Sequence, residues 1–84
     1  MKLTKNQMQF IINCDVEEIV ALLQEDYQMP LIEAFDCVYN SKIYQKLINE
    51  RTGLYLESPV YIYRYLQSEL REIPNVLSAE GEST

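Results

Sequence analysis

The side chains of this 84-residue chain that could act on a substrate are two pairs of adjacent carboxylates, Glu17/Glu18 and Glu25/Asp26, and two cysteines, Cys14 and Cys37. Acid–base catalysis by carboxylates needs two groups converging on one substrate, one of them shielded from water so that it holds its proton near neutral pH. Neighbouring residues on a helix point about 100° apart. Neither pair converges, and nothing in the surrounding sequence marks either as buried, so both read as solvated.

The chain has no histidine, which removes the commonest general base, the commonest metal ligand and every Ser–His or Cys–His nucleophile pair. Gly53 and Gly81 are its only glycines, so no glycine-rich phosphate loop can form. Two cysteines fall short of the four Cys or His ligands of a structural zinc site. A di-iron bundle needs Glu-x-x-His pairs, and a calcium loop needs alternating Asp or Asn around a central Gly; neither pattern is present. The expectation is a protein without catalytic residues, cofactor or metal.

One domain fits in 84 residues, and two do not. The 48% hydrophobic content suits a folded globule, while two Gly and three Pro supply too few turn residues for a many-stranded sheet. A secreted domain this small would usually carry two to four disulfides. Two isolated cysteines at helical positions read instead as small buried apolar residues in a reducing compartment, with a Cys14–Cys37 bridge as the sharper alternative. The apolar run Met8–Ile12 is interrupted by Gln9 and soon meets Asp15, so no targeting peptide or membrane span is expected, and the expected location is the cytoplasm.

The net charge of −6 is unevenly placed. Residues 6–41 carry Asp15, Glu17, Glu18, Glu25, Asp26, Glu33 and Asp36 with no Lys or Arg, whereas residues 42–84 are close to balance. Such an amino-terminal half repels phosphate backbones and attracts a basic protein surface. It is equally the composition of a solvated, solubilising face.

The elements that must position these groups are helical. Thr4 with Gln7 three positions on has the form of a capping box, and Ile12, Val16, Ile19, Val20, Leu23 and Tyr27 then share one arc of a helix spanning about residues 4–26. A fresh cap at Asp15 would kink it. Pro30 opens a second helix with a Leu31, Phe35, Val38 stripe, and Ser41 caps a third carrying Ile43, Tyr44, Leu47 and Ile48. Gly53 serves as a left-handed cap, 54–57 as an extended connector, and Ser58-Pro59 starts a last helix with Ile62, Tyr63, Leu66, Leu70 and Ile73 on one face. Pro74 stops that helix. The predicted fold is an all-α compact bundle of four helices over residues 1–74, followed by a flexible acidic tail, 75–84.

Seven tyrosines and no tryptophan make Tyr the unusual component. Tyr63 joins the apolar face of the last helix. Tyr61 and Tyr65 lie four residues apart on its flank, with Tyr55 just before them. Exposed, they would offer rigid apolar area with a hydroxyl, as protein interfaces favour; packed on neighbouring helices, they would be structural. The first helix also carries Phe10, Ile11, Cys14, Ala21 and Leu22 off its main arc. Either it is central and covered on both sides, which its length favours, or this stripe is the seam of a homodimer or of a complex.

Phe10-Ile11-Ile12-Asn13-Cys14, the Glu33-Ala34-Phe35 helix, Gly53-Leu54-Tyr55 and the 54–59 segment Leu-Tyr-Leu-Glu-Ser-Pro together resemble a small bacterial domain family of unknown function, common in Bacteroides-like gut anaerobes. The resemblance covers about residues 4–72. Some members are encoded beside ADP-ribosyltransferase-like toxins, which implies an antitoxin or accessory role. Many carry a His-Thr pair after the connector tyrosine where this chain has Glu57 and Ser58, so any function of that pair is altered here. The functional expectation is a non-catalytic protein-binding module for a basic partner, plausibly a neighbouring gene product, using Glu17, Glu18, Glu25, Tyr55, Tyr61 and Tyr65. The alternative is a structural homo-oligomer. Nucleic acid and membrane are not expected partners.

Overall fold

The computed structural model describes residues 3–72. They form four helices, α1 (Lys5–Tyr27), α2 (Leu31–Tyr39), α3 (Lys42–Leu47) and α4 (Pro59–Glu72), with two 3-10 turns, Glu50–Thr52 and Leu54–Leu56, between α3 and α4. The described residues contain no strand. The expected stop at Pro74, the core position of Ile73 and the acidic tail lie outside the described residues.

The helix starts obey local chemistry. Thr4 caps α1 reciprocally: Gln7 N donates to Thr4 Oγ1 at 3.1 Å, and Thr4 N donates to Gln7 Oε1 at 2.8 Å. No break occurs at Asp15, and α1 runs uninterrupted for 23 residues. Gln28 then takes the left-handed conformation (φ 58°) and Pro30 caps α2 from extended backbone. Ser41 caps α3, its Oγ accepting from Tyr44 N at 3.1 Å and donating to Val38 O at 2.6 Å. Ser58 Oγ accepts from Tyr61 N at 3.2 Å, so Ser58-Pro59 opens α4 as expected.

The core is one layer of side chains on a single face of α1. Ile12, Val16, Ile19, Val20 and Leu23 meet Ala34 and Val38 of α2, Ile43 and Leu47 of α3, and Ile62, Tyr63 and Leu66 of α4. α1 packs against α2, α4 and the 54–56 turn. Each fully buried Leu or Ile here stabilises the fold by about 1.5–3 kcal/mol. Tyr63 adds a polar latch, its hydroxyl donating to Asp26 Oδ2 at 2.6 Å and holding the end of α1 to α4.

Four expectations are corrected. Tyr27 and Leu31 are exposed rather than core, because α2 turns Ala34 and Val38 inward; a small residue at the contact lets two helix backbones approach closely. Cys14 is exposed and Cys37 half-buried, both as free thiols, since Cys14 lies on the side of α1 away from its partners. Gly53 (φ 67°) is left-handed, but it closes the Glu50–Thr52 turn, α3 having already ended at Ile48. Residues 54–56 are a 3-10 turn and not an extended connector, as Gly53 reverses the chain and Thr52 Oγ1 accepts from Leu54 N at 3.1 Å.

α3 has only six residues and cannot sustain itself. Its free N–H groups are met from 26–27 residues away: Glu69 of α4 accepts from Lys42 N (2.6 Å) and Ile43 N (3.0 Å), one bond to each carboxylate oxygen. This tertiary cap predicts that Glu69→Ala lowers stability by about 1–2 kcal/mol in urea titration, with Glu69→Gln falling between it and the parent because one acceptor oxygen remains. Equal stability of all three proteins would show that Ser41 alone caps α3.

Candidate functional site

The α1 face opposite the core is uncovered. At 100° per residue, Phe10, Cys14 and Ala21 fall within an arc of about 40°, on the far side of the helix from Ile12, Val16 and Leu23. All three are exposed, Phe10 to 68%. The helix is therefore not covered on both sides, since α2, α4 and the 54–56 turn all sit against one face. Glu17 on one flank and Glu18 and Glu25 on the other are likewise exposed. At the amino end, Leu3, Asn6, Gln7, Phe10 and Ile11 line a shallow hollow of about 380 Å³. The acidic residues singled out from sequence thus border one apolar strip.

The tyrosines do not form one cluster. Tyr55 is 7% exposed, carried into the core by the 54–56 turn against α1, and so is removed from any surface site. Tyr61 and Tyr65 are exposed to 44% and 47%. Their rings meet edge to face with centroids 5.1 Å apart, and their hydroxyls are hydrogen-bonded at 3.0 Å. That hydrogen bond, with the neighbouring phenol's charge, raises the Tyr61 pKa above its ordinary value. The pair stands over a cleft of about 310 Å³ between α3, the 3-10 turns and α4. No residue is shared between that cleft and the α1 face.

Two groups were invisible to sequence reasoning. Ile32, at 72% exposure, is the most exposed large apolar side chain described. Asp15, counted above with the solvated acids, is 5% exposed and its Oδ2 has no hydrogen-bond partner. One helical turn from buried Ile12 and Ile19, it sits at the edge of the apolar arc. Its spacing from those two residues was the available signal. Desolvation pushes its pKa from 3.8 up to about 6. A lone carboxylate with no nucleophile, metal or base beside it has the shift of a catalytic acid without the apparatus of one. Among the described residues no group of three His, Cys, Asp or Glu is placed to hold a metal ion, and no helix is long and apolar enough to cross a membrane.

Comparison with protein-family models, with curated proteins and with solved structures finds no match to this chain.

The Asp15 carboxyl gives stability a defined pH dependence. Its folded pKa lies above the unfolded value, so folding disfavours the ionised form and this contribution worsens as pH rises from about 4 to about 6, then stays constant. Asp15→Asn is expected to remove that slope and to raise stability at pH 7 by about 1–2 kcal/mol, allowing for partial solvent screening. Parallel urea titrations at pH 4.5 and 7.5 test this, and an unchanged difference between the two pH values in the variant would assign the slope elsewhere.

Proposed function

We propose that the protein is a non-catalytic binding module whose outer α1 face docks a basic partner protein, in an antitoxin-like or accessory role in the cytoplasm. The observation that supports this best is an exposed Phe10, Cys14, Ala21 strip bordered by Glu17, Glu18 and Glu25, within a stretch that has no Lys or Arg from residue 6 to 41. Burying Phe10 alone in a complex would contribute about 1.5–3 kcal/mol. The bordering carboxylates would raise the association rate and reject acidic competitors more than they add affinity. The absence of histidine and the exposure of the paired carboxylates support a role without chemistry.

A homodimer through the same strip is less well supported. A two-fold contact centred on the strip brings Glu17 and Glu18 of both copies near one another, with no base on that stretch to offset them. A basic, amphipathic helix from another protein meets the same surface without that repulsion.

Co-purified with the products of its neighbouring genes at low salt, the chain is expected to retain a basic protein, to release it as salt rises, and to lose it when Glu17, Glu18 and Glu25 are all changed to Lys. Cys14 lies within the proposed contact, so complex formation should slow its labelling by maleimide. Retention that survives the triple reversal with Cys14 labelling unchanged would sink the proposal, as would recovery of no partner. A dimeric mass with Cys14 protected in the isolated protein would replace it by self-association.

A further inference from the structure

A second surface, sharing no residue with the α1 face, has the opposite polarity. The cleft under Tyr61 and Tyr65 continues into a hollow of about 210 Å³ beside Ser68 and Glu69, and the two are joined through Ile43, Lys46 and Tyr65. Together they form a groove along α4 from Glu57 to Glu69. Twelve residues of helical rise make it roughly 18 Å long, the span of about five residues of extended chain.

The groove's chemistry is divided between its walls. Ile43 and Leu54 give an apolar floor. The Tyr61–Tyr65 pair forms an aromatic ledge whose rings and hydroxyls already hold each other, so little side-chain entropy remains to be lost on binding. Thr52 steadies the far wall, its hydroxyl lying 2.6 Å from the Lys46 carbonyl and accepting from Leu54 N. Lys42 and Lys46, one turn apart on α3, are exposed on the opposite lip. The Glu69 carboxylate facing them has both oxygens engaged by the amides of Lys42 and Ile43. That leaves Glu57, at the other end, as the groove's remaining carboxylate. Two ammonium groups against one uncommitted carboxylate make this a cation-lined groove on a protein of net charge −6.

We propose that the α3–α4 groove docks an acidic, extended peptide segment of a partner protein, with one aliphatic or aromatic side chain seated on Ile43, Leu54 and the tyrosine ledge and carboxylates paired with Lys42 and Lys46. The backbone geometry of an extended segment suits a groove of this length, and charge complementarity selects acidic over basic sequences. The molecule then presents an acidic face on α1 and a basic groove on α3–α4, and joins two partners of opposite charge.

The test is amide chemical-shift titration of the full chain with the synthetic peptide acetyl-Glu-Leu-Glu-Tyr-Asp-amide. Its controls are the same peptide with Lys at the acidic positions and with Gly at the Leu and Tyr positions. Saturable shifts at Ile43, Lys46, Leu54, Tyr61 and Tyr65 are expected for the acidic peptide, with affinity at least about tenfold weaker for each control. Lys46→Glu, placed away from the Glu69 cap, should weaken binding by a similar factor, and Tyr65→Ala should remove the preference for Tyr over Gly; the amide spectra themselves report that each variant is folded. Equal shifts from the Lys peptide, shifts confined to α1, or none at all would overturn the proposal.

Discussion

Everything in this fold hangs on the apolar face of α1. It is the one element long enough to touch most of the others, and its Ile12, Val16, Ile19, Val20 and Leu23 form the bed on which α2, α4 and the 54–56 turn lie. A single helix buries at most about half its circumference against neighbours that all lie on one side. With so few residues available to cover it, the opposite half stays wet, and the residues there are free of the packing constraint that determines the core. What stands on that half is accordingly the part of α1 whose composition folding does not explain.

The other end of the molecule is organised by a single side chain. α3 is too short to be stable alone, and Glu69 holds it by both oxygens. That contact also fixes the distance between α3 and α4, and so shapes the groove beneath Tyr61 and Tyr65. The two 3-10 turns complete the arrangement: Gly53 reverses the chain, Tyr55 plugs the core, and Leu54 is left lining the groove. Stability and surface chemistry are thus produced by the same few contacts.

How far this could be read from sequence depended on the range of the interaction. Thr4 with Gln7, Ser41, and Ser58-Pro59 act within three residues of themselves, and the helix starts they imply are found. The all-α architecture followed from periodicity, which is also local. Tyr55 was misplaced because its orientation is set by a left-handed Gly53 and a hydroxyl at Thr52, a combination that a Leu-Tyr-Leu run does not reveal. The α2 stripe was drawn through large residues, Leu31 and Phe35, whereas the contact with α1 uses Ala34, whose small size is what permits it. Glu69 was read as part of a solvated flank, because the amides it caps are 26–27 residues away. Of the candidate site, the acidic border of α1 and the Tyr61–Tyr65 pair were legible, and their separation onto two surfaces was not.

The least expected feature of α1 is an exchange between its two sides. Asp15 is buried without a partner, while Phe10, five residues earlier, stands in solvent. Swapping polarity at these positions would stabilise the isolated domain twice, by removing an uncompensated carboxylate and by moving an aromatic ring out of water. A sequence that departs from the folding optimum at two nearby positions does so where some other requirement competes with folding. For Phe10 the competing requirement is met by a partner that covers it, because an exposed ring on an otherwise acidic helix contributes nothing to a monomer. For Asp15 burial places a group that titrates between pH 4 and 6 directly beneath the same helix, at the boundary between its core face and its outer one. The helix that supports the fold and the helix that meets a partner are one element, and the cost of that double use is visible in these two residues.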